Sequence, residues 1–374
     1  MTYLANIFHL GIKELRSLYR DPAMLVLIAW AFSLGIYVAA RAQPEVLQHV
    51  PIAIVDEDQT PLSMRIADSL YPPHFNKPVM TTSSDASLGM DTGQYSFSLV
   101  IPPNFQRDVM AGRRPAMQLN VDATLVSQAF IGAGYLQSIT SEEVSGFVQK
   151  YRAVAPLPTE LVPRMLFNPN LTQAWFSAVM ELINNITMLS IVLSGAALIR
   201  EREHGTIEHL LAMPLRPFEI MASKIWSMGL VVLLAATFAL EVMIRGAVSV
   251  VISGSVPLFL VGVALTLLAT TSMGIFLGTI ARSMPQFGLL AILILLPLVV
   301  LSGSLTPRES MPMLVQKIML IAPTTHFVSL AQAILYRGAG FSVVWPQFAA
   351  LLAIASLFFT AALLRFRKSI ETMQ

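Results

Sequence analysis

The chain has 374 residues, of which 55% are hydrophobic and only 12% charged, with a formal net charge of +2. That near-neutral balance gives no reason to expect a nucleic-acid partner, and the lack of cysteine excludes disulfides, thiolate zinc sites and iron–sulfur centres. Such a composition places the chain in a membrane, among lipids.

A crossing needs ~20 mostly apolar residues to span ~30 Å of hydrocarbon. Stretches at 23–40, 175–199, 225–248, 256–281, 286–303 and 345–364 fit that demand. They predict an α-helical membrane protein with six transmembrane helices. Residues 3–20 precede them as a basic amphipathic helix, with Leu4, Ile7, Phe8, Ile12, Leu15, Leu18 and Tyr19 on one stripe. Lys13 and Arg20 lie opposite that stripe. Asp21-Pro22 ends this helix and starts the next. Ala40-Arg41-Ala42 resembles a leader cleavage site, but the 18-residue apolar run before it exceeds the ~7–15 of a signal peptide, so a retained anchor is expected.

Residues 41–174 form a polar block with alternating strand and helix signals. Strands are predicted near 51–56, 95–101 and 117–122, and helices near 104–111 and 127–151. Leu136, Ile139, Val144, Phe147 and Tyr151 share a face of the second helix. The expectation is an α/β extracytoplasmic domain between transmembrane helices 1 and 2. Its residues show no nucleophile–base or metal-spaced cluster, which argues against an enzyme. Phe167-Asn168-Pro169 returns the chain to the membrane, and Trp175 suits an interfacial position.

The densest polar cluster follows the second span, at Arg200-Glu201-Arg202-Glu203-His204-Gly205-Thr206-Ile207-Glu208-His209. His204 and His209 are five apart and share no helix face, so this is no zinc motif. Gly205 breaks the charged turn, Thr206 can cap a short helix, and Pro214 stops it. A solvated loop supplying positive charge would explain the arginines but not the interleaved glutamates. Intramembrane Glu181 and the Glu241–Arg245 pair read as structural groups rather than a proton relay. Gly274 and Gly278 form a small-xxx-small pattern for close helix approach. Between 304 and 344, apolar segments too short to cross are broken by prolines, which suggests helices dipping back into the outer leaflet. No phosphate-binding Gly-x-x-x-x-Gly-Lys-[Ser/Thr] motif occurs, so any ATPase must lie outside this chain.

Three strings together resemble the permease subunits of ABC transporters of the type-2 exporter class, over essentially the whole chain. Lys13-Glu14-Leu15 through Arg20-Asp21-Pro22 looks like that family's interfacial elbow helix. The stretch from Glu201, Arg202 and Glu203 through His204, Gly205, Thr206 and Glu208, with Pro214 and Lys224, is similar to its Glu-Arg-Glu-x-Gly-Thr-x-Glu-x-Leu coupling segment. Leu301-Ser302-Gly303 with Pro307, Glu309, Pro312, Pro323 and His326 looks like its outer re-entrant region. The family's Tyr-Asn-Pro stands here as Phe167-Asn168-Pro169. The resemblance implies ABC ATPase subunits as partners, with ATP and Mg held there, and a second permease copy. It also implies drug, lipid or peptide export, with a periplasmic adaptor and an outer-membrane channel as further candidate partners. An ion-coupled secondary transporter and a membrane-anchored sensor or scaffold are the competing classes. The first would need intramembrane ion sites, and the second would need far fewer spans.

Basic residues near the short loops place both termini and the 200–224 segment inside the cell, and the 41–174 block outside. The chain has no native cysteine, so single cysteines report sidedness cleanly. Ser87→Cys should react with a membrane-impermeant thiol reagent added to intact cells, and Ser369→Cys should not. The opposite labelling pattern would refute this orientation.

Overall fold

The computed structural model describes residues 2–42, 49–72, 74–122, 126–151, 172–203, 205, 215–304 and 308–371. The chain divides into two compact units, one of residues 1–43 with 165–374 and one of residues 44–164.

The larger unit is helical. An N-terminal helix, Thr2–Tyr19, is followed by Asp21, whose carboxylate accepts the Met24 amide at 3.2 Å and so caps the following span. Among the described residues five helices are long and apolar enough to cross a membrane: Pro22–Arg41, Gln173–Glu203, Pro217–Ala247, Val256–Ile280 and Phe341–Lys368. They are called here spans one to four and the final span. The expected crossing at 286–303 is the shorter helix Met284–Val300. Its 17 residues rise about 26 Å, slightly less than the hydrocarbon core. Met313–Ile321 and Pro323–Leu335 then meet at 91°, a broken span or a re-entrant loop, so the described residues hold five candidate crossings, or six if the bent pair is one. Pro323 occupies the first turn of the second arm, where its missing N–H removes no helix bond.

Span two forms the centre of this unit. Val179, Leu182, Ile183, Ile186 and Leu189 are all buried. Span four packs on it closely, because a Cβ on Gly274 would collide with the Ser194 hydroxyl and the Ile191 carbonyl. The Ser190 hydroxyl reaches the Thr270 hydroxyl at 2.6 Å across the same contact. Small residues let the two backbones approach where lipid supplies no hydrophobic drive, and hydroxyls join them. In span one, a π-helical stretch at Ala31–Gly35 interrupts the regular bonding. The Asn185 amide of span two donates to the Ala31 carbonyl at 2.8 Å. Glu241 and Arg245 are ion-paired at 2.8 Å, both about half exposed.

The smaller unit is a four-stranded sheet with helices. Strands β1 (Ile52–Asp56), β2 (Val79–Met80), β3 (Phe97–Ile101) and β4 (Gln118–Val121) lie in the order β2-β1-β3-β4. β1 runs parallel to β2 and β3, whereas β4 is antiparallel to β3. Central β1 is apolar on both faces, as a doubly covered parallel strand demands. Ile52 and Ile54 join Leu62, Ile66, Phe75, Phe97, Leu99, Leu136 and Phe147 in one core. Ala53 and Val55 face Ala86 and Tyr95. The three expected strands are present, and the two expected helices are Phe105–Met110 and Val126–Tyr151. Two further helices, Pro61–Ser69 and Ser83–Asp91, were not read from the sequence. Thr60 and Ser63 form a capping box on the first, a local start signal that the sequence carries. β2 was missed because it is two exposed residues held only by pairing with β1.

Residues 44–164 expressed alone should unfold in one cooperative step, since they carry their own core. Phe97→Ala should lower the unfolding free energy by about 3–5 kcal/mol, the range for removing a buried aromatic. Urea titration followed by circular dichroism measures this, and an unchanged midpoint would contradict the core assignment.

Candidate functional site

The end of span two carries four consecutive charges, and each is tied to a different neighbour. Arg200 bonds Asp21 at 2.8 Å, the cap between the N-terminal helix and span one. Glu201 turns inward to Lys13 of the N-terminal helix and to Lys224 of span three, at 2.6 Å from the latter. The Arg202 guanidinium donates to the Ala281 carbonyl at 2.8 Å, where span four ends. Glu203 accepts the Met284 amide at 2.7 Å, in the first turn of Met284–Val300. One turn of helix therefore joins the N-terminal helix, span three and the turn after span four.

Lys224 is the buried centre of this arrangement. Its side chain is 1% exposed, and its ammonium also reaches Glu14 at 3.0 Å. Glu14 and Glu201 are 5% and 7% exposed. Lys13 completes the group, 3.6 Å from Glu14. Two ammonium groups and two carboxylates thus balance, with Lys224 and both carboxylates buried and Lys13 about half exposed at the edge of the group. Burial raises the Glu14 carboxyl above its usual pKa, the nearby Glu201 carboxylate adds to this, and Lys224 opposes it. Burial disfavours the Lys13 ammonium, yet the Glu201 and Glu14 carboxylates together hold its pKa above the usual value.

Additional contacts fix the N-terminal helix on span three. Phe8 stacks on Trp226 with ring centroids 5.8 Å apart, and the indole N–H donates to the Ile7 carbonyl at 3.1 Å. Asn6 donates to Glu219 at 3.0 Å, while the other oxygen of Glu219 accepts the Arg216 amide at 2.6 Å. The Arg216 guanidinium lies 4.7 Å from the Tyr3 ring centroid. The protein-facing side of this helix is Gly11, Glu14 and Leu18, spaced at helical intervals and all buried. Leu4, Phe8 and Tyr19 of the apolar stripe are instead 77%, 56% and 80% exposed, free to meet lipid.

The residues singled out from the sequence separate into three groups. Lys13, Glu14, Asp21, Glu201, Arg202 and Glu203 come together as described, with Leu15 half-buried, Arg20 exposed and Pro22 opening span one. Gly205 has φ +66 and open space around its Cβ position, so the chain does turn at that point through a left-handed residue. His204, Thr206, Glu208 and Pro214 lie outside the described residues, as do Pro307 and Phe167-Asn168-Pro169. Pro312, Pro323 and His326 lie elsewhere, at the bent helix pair, where the His326 ring Nε2 is 2.9 Å from the Leu320 carbonyl. Sequence reasoning assigned Lys224 only to the family string and the basic loop charge. An ammonium among the apolar residues of span three was the signal that it needed buried partners. Among the described residues no group of three or more His, Asp or Glu could hold a metal ion.

A polytopic helical bundle, an α/β domain inserted after the first span and a charged turn clasping the N-terminal helix define a membrane transport subunit. The family described as ABC-2 family transporter protein matches residues 23–364, and the chain belongs to it. It is the membrane subunit of such a transporter, not an ATPase. The chain is 62% identical over the full length of both proteins to the inner membrane transport permease YhhJ of Escherichia coli. Two further relatives from that organism are described as probable multidrug ABC transporter permeases. YbhR is 28% identical, covering 96% of this chain and 97% of its own, and YbhS is 24% identical, covering 88% of each.

Removing the ammonium at 224 leaves Glu14 and Glu201 buried with Lys13 as their remaining cation. Breaking a buried ion pair in this way costs about 3–5 kcal/mol. Lys224→Met should therefore lower the melting temperature of the detergent-purified protein, read by scanning fluorimetry. A variant as stable as the parent would show that the group is not buried as described.

Proposed function

We propose that this chain is the permease of an ATP-driven exporter in the bacterial inner membrane, with both termini in the cytoplasm. Two permease copies, identical or related, would stand on a pair of ABC ATPase subunits, which hold ATP and Mg. The substrate class is hydrophobic or amphiphilic, a drug, lipid or peptide taken from the cytoplasm or the membrane. Multidrug permeases among the relatives support that class, and the inner-membrane name of YhhJ supports the location. The inserted α/β domain would face the periplasm, where it handles substrate or docks an adaptor leading to an outer-membrane channel.

The observation that carries this reading is the turn at 200–203. Its four charges bind four separate elements, so a push on the segment that follows Glu203 reaches the N-terminal helix, span three and Met284–Val300 together. A loop that only balanced charge has no need of those bonds. ATP binding would close the ATPases, and the segment from Gly205 to Pro214 would pass that closure to the spans as a tilt.

Purification in mild detergent from the native host should recover a soluble ATPase with the chain. Gly205→Val places a β-branched residue at φ +66, which only glycine adopts freely. That variant should reach the membrane at parental abundance but recover much less ATPase, because the following segment is aimed elsewhere. A parental preparation free of any ATPase would refute the exporter reading. Full ATPase recovery in Gly205→Val would refute coupling through this turn.

A further inference from the structure

The N-terminal helix is held to span three by far more than ions. The Phe8–Trp226 stack, the indole bond to Ile7 and the Asn6–Glu219 bond already attach it. Apolar contact and stacking tolerate sliding, because they are non-directional or only weakly directional. The ion cluster, three of whose four members are buried, does not. Lys224 offers its donors in one place to Glu14 at 3.0 Å and Glu201 at 2.6 Å, and those carboxylates come from different elements. A helix shifted by one residue would leave charges buried and unpaired. The indole and Asn6 hydrogen bonds also resist a slip, but the ion cluster adds the larger penalty, because a slip there strands buried charge.

We propose that Lys13, Glu14, Glu201 and Lys224 act as a register pin, making the N-terminal helix a moving part of the coupling unit rather than a passive anchor. This rests on the ATP-driven reading above and adds the element that must travel with span two. Lys224 is a positioning residue in this scheme. It touches neither substrate nor nucleotide and acts by fixing Glu14 against Glu201. The helix carries its exposed Leu4, Phe8 and Tyr19 along the membrane surface as it moves, so the pin also links ATP-driven motion to the adjoining leaflet.

The test uses a charge-balanced variant, Glu14→Gln/Lys224→Met, which leaves the Lys13–Glu201 pair in place. A fluorophore on Ser342→Cys, at the exposed start of the final span, reports motion in a chain with no other cysteine. The intact complex with its ATPase is labelled, and the emission change on adding ATP with vanadate is measured. The expected result is parental abundance with an emission change smaller by about fivefold or more, the lower range of coupling between distant sites. The reversed pair, Glu14→Lys/Lys224→Glu, should recover part of the response. An undiminished response in the neutral variant would overturn the pin. Failure of the neutral variant to accumulate would overturn it too, since the quartet would then be serving stability alone. A parental complex with no nucleotide response would remove the ATP-driven reading and the pin together. That failure is told apart because it needs no variant.

Discussion

A lysine ammonium buried to 1% exposure between two carboxylates is the constraint on which the membrane unit's inner end depends. Its cation cannot stay in a low-dielectric interior unpaired, so Glu14 and Glu201 must both be brought to it. Bringing Glu14 fixes the rotation of the N-terminal helix. Bringing Glu201 fixes the last turn of span two, which sets the direction of Arg200, Arg202 and Glu203. Those three then find Asp21, Ala281 and Met284. The geometry of the turn thus follows from satisfying one desolvated charge.

Lipid as surroundings explains the other main departure from soluble-protein intuition. In water the apolar stripe of the N-terminal helix would face inward. Here Leu4, Phe8 and Tyr19 of that stripe are exposed, while Leu18 alone of the stripe joins Gly11 and Glu14 on the buried side. A hydrocarbon exterior removes the cost of exposing the stripe, and the polar group gains by meeting its counter-ion inside. The same logic governs spans two and four. Gly274 and the Ser190–Thr270 bond replace the large apolar side chains that would fill a soluble core.

The inserted domain obeys the opposite rules. Its sheet is covered on both faces and its core is built from Ile, Leu, Val and Phe. It has the composition of a water-soluble α/β unit. A transporter of this family therefore carries two folding problems in one chain, one solved by burial from water and the other by packing and hydrogen bonding within lipid.

The sequence alone determined the order of the long apolar helices, though not their number, together with the presence of an α/β insertion and the existence of a charged break after span two. Those features are local or periodic, and hydropathy, alternation and Gly205 record them directly. The strands at 52–56, 97–101 and 118–121 were legible for the same reason, while β2 was not, because its two residues become a strand only by pairing with β1. The inward turn of Glu201 was equally invisible. Its alternating-sign neighbours read as a solvated or docking surface, and only the fold brings Lys13 and Lys224, 188 and 23 positions away in the chain, to the same carboxylate. Whether a charged residue faces a partner or the interior depends on which distant counter-ion the packing delivers, and tertiary structure decided that.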